Sequence, residues 1–163
     1  MMRIGLIILL VLWTTARHEA SHAAMALLEG AEIQEMRLLP GIHPELGFYF
    51  GYVKHSGDPT WRIDAAPFIA DAVVVLAASA LLRRMRRESR YRIPIIFFGL
   101  ISPLADLGYN YQGGLWRSGT DVAGLFQRLP NAPVHIFFIV AIGLTVMALR
   151  ATRKVVAPEH PAG

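Results

Sequence analysis

The residues of this chain best suited to chemistry are His18, Glu19 and His22, which spell His-Glu-x-x-His. On a helix, side chains four positions apart share a face, so the two imidazoles can reach one metal ion together. Imidazole nitrogen is a good donor to zinc, and Glu19, one position on, can take a proton from a water on that ion. The chemistry to expect is metal-assisted hydrolysis with Glu19 as general base. The chain has no cysteine, so every ligand must be His, Asp or Glu. A catalytic zinc usually has three protein ligands, and the motif supplies two of them.

The element that must position these residues is very apolar. It runs from Ile4 through Trp13 into the motif and on to Leu28, with no proline and with Gly30 as a helix stop. A helix over residues 3–29 is long enough to span a bilayer, which takes about 20 residues. A cleaved signal peptide, cut after Ala16, is the competing reading. It would leave the motif at a frayed new terminus, so a spanning helix is expected instead. Residues 31–62 alternate polar and apolar and then become rich in Phe, Tyr and Gly, with Pro40-Gly41 as turn punctuation. This pattern predicts a hairpin at the membrane interface. Further spans are expected at Ala65–Leu82, Ile93–Tyr109 and Val134–Leu149. A polar loop with Gly113-Gly114 follows the third, then a short helix over Thr120–Phe126.

Composition agrees. Hydrophobic residues make up 54% and charged residues 17% of the 163, where soluble domains carry about a quarter charged. The expected fold is an α-helical integral membrane protein with about four transmembrane helices and a small β-hairpin after the first. Residues 1–156 are read as one domain and 157–163 as a disordered tail. The net charge of +4 gives no reason to expect nucleic acid; the partner implied is the lipid bilayer. Six arginines fall between Arg83 and Arg92. With four spans, they share a side with Arg3, Arg150, Arg153 and Lys154, ten positive charges against five on the other side. A multi-pass protein of the cell membrane with both termini cytoplasmic is expected.

For the missing ligand, carboxylates within the spans are the place to look, because charge inside a membrane is costly and usually functional. Asp106 follows Pro103 near the end of the third span. Asp121 opens the short helix. Asp71, in the second span, suits a ligand, an acid holding a zinc histidine, or an ion-pair partner for Arg17. Glu29 shares the face of His22 but lies about 10 Å along the axis, too far for the same ion. His135 is read as an interface residue, and His43, His55 and His160 as loop or tail residues.

Three stretches resemble the site-2 protease family of membrane-embedded zinc metalloproteases: His18-Glu19-Ala20-Ser21-His22-Ala23-Ala24 followed by Gly30 and the strand to Pro40; Ala66-Pro67 opening the second span; and Leu100-Ile101-Ser102-Pro103-Leu104-Ala105-Asp106-Leu107-Gly108. The resemblance implies Zn2+ as cofactor, Asp106 as third ligand beside His18 and His22, and hydrolysis of peptide bonds in membrane-associated protein substrates. Two other classes stay open. One is a non-catalytic membrane binding or scaffold protein whose polar cluster is structural. The other, a di-iron hydroxylase, needs more histidines than the six present.

Overall fold

The computed structural model describes residues 2–43 and 47–153. The expected tail, with His160, lies outside these residues, as does the side chain of His43. Helix α1 (Met2–Leu28) carries the motif. It stops where expected. Gly30 adopts φ 82°, which a residue with a Cβ rarely takes. The amides of Gly30 and Ala31 bond back to the carbonyls of Leu27 and Ala26, closing the helix end with a Schellman motif.

The chain then forms the hairpin as two short antiparallel ladders. Strand β1 (Ile33–Arg37) pairs with β4 (Tyr52–His55), and β2 (Gly41–His43) pairs with β3 (Gly47–Tyr49). The break between ladders contains Gly51, and there the hairpin bends onto α1. A Cβ on Gly51 would meet Thr15, Glu19 and the Arg37 carbonyl at 3.0 Å or less, so only glycine lets the backbone approach the motif this closely.

Among the described residues, four helical rods are long and apolar enough to cross a membrane: Ile4–Leu28, Trp61–Arg84, Arg92–Trp116 and Asn131–Thr152. The protein is a helical membrane protein with a small hairpin after its first helix, as the sequence predicts. Helix α2 (Trp61–Arg84) starts at Thr60, whose hydroxyl accepts from the Ile63 amide. The third rod is α3 (Arg92–Ile96), a π-helical turn (Phe97–Ile101) and α4 (Ser102–Trp116). Pro103 has no amide to give the preceding turn, and the widened turn lies directly before it. This rod runs on through Gly113 and Gly114, where a loop was expected. Gly114 is where Val122 of the next helix packs, leaving no room for a Cβ. That helix, α5 (Asp121–Arg128), is the expected short one, capped by Thr120. Helix α6 (Asn131–Arg153) completes the bundle.

Two apolar clusters hold the rods together. Phe68, Leu107, Val122, Leu125, Val134 and Phe138 pack near the hairpin end. Val75, Ala78, Leu82 and Leu100 pack near the arginine-rich connection. Outside them, Ile7, Val73, Leu76, Ile139, Leu144 and Met147 are exposed, as a lipid-facing surface requires.

Candidate metal centre

His18 and His22 project from one face of α1 and are both buried. The Nδ1 atom of His18 lies 3.0 Å from Oδ2 of Asp106 on α4. The Nδ1 atom of His22 lies 2.8 Å from the Ile63 carbonyl in the first turn of α2. A carbonyl and an ionised carboxylate can only accept, so each Nδ1 donates and each neutral imidazole presents a lone pair at Nε2. Both Nε2 atoms meet Oδ2 of Asp121, at 3.0 Å from His18 and 3.3 Å from His22, and lie 3.2 Å from each other.

With both imidazoles neutral, three acceptor atoms converge, and such a cluster repels itself unless a proton or a metal ion joins it. The triangle also has the right size: a tetrahedron with metal–ligand bonds of about 2.0–2.1 Å has edges of about 3.3 Å. His18, His22 and Asp121 are accordingly a group able to hold one metal ion. Asp121 is half-buried. Removal from water opposes its ionisation, but when the imidazoles of His22 and His18 carry a second proton their charge outweighs this and holds its carboxyl well below the usual carboxylate range.

Asp106 faces the other nitrogen of His18 and is already engaged. Its Oδ1 accepts from Asn110 at 2.7 Å, while Oδ2 faces His18 and Arg17, the latter at 3.4 Å. Arg17 also donates to the Ser102 hydroxyl at 2.7 Å and pairs with the fully buried Asp71. Of the three roles open to Asp71, the ion pair with Arg17 is the one observed. Glu19 is buried and makes no hydrogen bond or ion pair among the described residues. It lines a cavity of about 850 Å³ together with both histidines, Asp106 and Asp121. The cavity lies between α1, the hairpin, α4 and the start of α5, with Phe48, Phe50 and Tyr109 among its walls.

Of the remaining histidines, His55 lines the outer cavity, with Nδ1 3.0 Å from the Ser56 carbonyl. His135 meets the Tyr111 hydroxyl at 2.8 Å, away from the site. Several contributors escape a reading of the sequence. The Ile63 carbonyl has no side-chain signature. Asp64 anchors α5 through Arg128 at 2.6 Å, beneath Gly124, which has no room for a Cβ. Ser102 and Asn110 were open to detection, since each lies four positions from Asp106 on the same helix face.

No family model, curated protein or solved structure matches this chain.

Proposed function

We propose that this protein is a membrane-embedded zinc metalloprotease, with His18, His22 and Asp121 as metal ligands and Glu19 as general base. The observation that carries the reading is the convergence of three metal-ligating atoms beside an unpaired buried carboxylate at the wall of a cavity. Asp106, which the family resemblance implies as the third ligand, takes a supporting role in this proposal. It fixes the His18 tautomer and makes that imidazole a better donor, as carboxylates behind zinc histidines do. The Ile63 carbonyl does the same for His22.

A divalent zinc ion bound there supplies Lewis acidity, bringing a coordinated water towards pKa 7 and polarising a substrate carbonyl. The protein's own residues do the rest. Glu19, with no competing partner, accepts the proton of the attacking water and later returns it to the leaving amine. The cavity admits water to a site otherwise enclosed by helices. Its aromatic wall suits apolar side chains of a membrane-associated polypeptide, whose peptide bonds are the substrate in this reading.

The test is purification in detergent with metal analysis and a peptide-cleavage assay. About one zinc per chain is expected. Glu19→Gln should keep the zinc and lose cleavage by about 10²–10⁴-fold. Full activity in Glu19→Gln sinks the mechanism. A zinc-free protein unchanged by His18→Ala points instead to the scaffold reading, in which the polar cluster only ties helices together.

A further inference from the structure

We infer that the site opens to the non-cytoplasmic side of the membrane, so that its substrates are protein segments just outside the hydrocarbon core on that side. The substrate half of this statement rests on the metalloprotease reading; the orientation half does not.

The argument starts from where the site lies along the rods. His22 is six residues from the end of α1 at Leu28, or about 9 Å. Ile63 stands in the first turn of α2, and Asp121 lies in the connection between the third and fourth spans. The group therefore sits near the end of the bundle that carries the hairpin. The arginine-rich connection begins at the opposite end of α2, about 30 Å away. Between the two, Val75, Ala78, Leu82 and the fully buried Leu100 fill the bundle with apolar side chains.

Orientation follows from the charges. The connection between α2 and α3 is short, and together with the helix ends that flank it holds six arginines from Arg83 to Arg92. None of the six makes an ion pair among the described residues. At the hairpin end, three of the five basic residues face carboxylates: Arg37 with Glu35, Arg62 with Glu29 and Arg128 with Asp64. Short loops rich in unpaired arginine stay in the cytoplasm. That places the hairpin, α5 and the cavity mouth outside. Substrate and water then reach the site from one side, without passing the arginine end.

The absence of cysteine makes the test direct. Asp58→Cys and Ser118→Cys place single thiols at exposed positions of the site end, and Glu88→Cys places one at an exposed position of the arginine connection. Intact bacterial cells producing each variant are treated with a membrane-impermeant maleimide, before and after permeabilisation. Positions 58 and 118 should label at least about tenfold more than position 88 in intact cells, with position 88 labelling only after permeabilisation. The reverse pattern, or equal labelling at both ends, overturns the inference.

A second arm uses a single-pass test protein with the same juxtamembrane segment on either side of the membrane. Cleavage of only the non-cytoplasmic version, abolished by Glu19→Gln, is expected. Cleavage of only the cytoplasmic version overturns the inference. Cleavage of neither, with the expected labelling, removes the protease reading and leaves the orientation standing.

Discussion

The two halves of α2 bury different chemistry. From Ile63 to Asp71 its inward face carries two carboxylates and the carbonyl that holds His22, alongside Phe68. From Val75 to Leu82 it buries only Val75, Ala78 and Leu82, packed on Leu100. The apolar half packs closely at its centre: Gly99 lies so near Ala78 that a Cβ would collide. The polar half instead keeps a cavity of about 850 Å³ and must match each buried charge with a partner. One end of the bundle thus supplies rigidity, and the other spends part of it on a site whose groups are costly to bury.

Exchanging the two carboxylates beside His18 tests the polar half most severely. Asp121→Asn should abolish stoichiometric zinc, whereas Asp106→Asn should weaken zinc binding only by about 10–100-fold. Zinc titration with a competing chelator measures both. The opposite ranking would return the third ligand to Asp106 and break the proposed division of roles.

Next in size is Arg17→Met, which strands Asp71 without its cation. A loss of about 3–5 kcal/mol is expected from thermal unfolding in detergent, with most of it recovered when Asp71→Asn is added. Leu100→Ala, in the apolar half, should cost about 2–5 kcal/mol yet leave zinc per folded chain unchanged. If Leu100→Ala instead emptied the metal site, the two halves would not be independent.

The smallest effect expected is from Gly51→Ala, about 1–3 kcal/mol of overpacking. It should also shift the hairpin off Glu19, raising KM more than it lowers kcat. A change confined to kcat would place Gly51 in the chemistry rather than at the cavity wall.

How much of this was legible beforehand follows from the range of each signal. The four rods and the stop at Gly30 are local patterns of hydropathy and backbone freedom, and they were readable. So were the placing of His18 and His22 on one face, from their spacing of four, and the start of the short helix at Thr120. The carboxylates were not separable. Asp106 and Asp121 lie 88 and 103 residues from His18, and both reach it. What distinguishes them is which imidazole nitrogen each meets, and no local pattern carries that. The family resemblance favoured Asp106 because of its helix and its neighbours, Ser102 and Pro103. In three dimensions the Asp106 carboxylate is occupied by Asn110, Arg17 and Nδ1 of His18.

Helix α5 has only eight residues, and it hangs between two connections, one of which contains Gly119 at φ 78°. Apart from Thr120 and Asp121, its polar tether among the described residues is the bridge from Arg128 to Asp64. With Asp121 as a ligand, an ion joining it to α1 acts as a cross-link closing a loop of roughly 100 residues. A covalent closure of that length is worth about 4–5 kcal/mol in chain entropy. The metal is then a staple as well as a reagent: chelation would remove that cross-link and leave α5 held by Val122, Leu125 and the Arg128–Asp64 bridge.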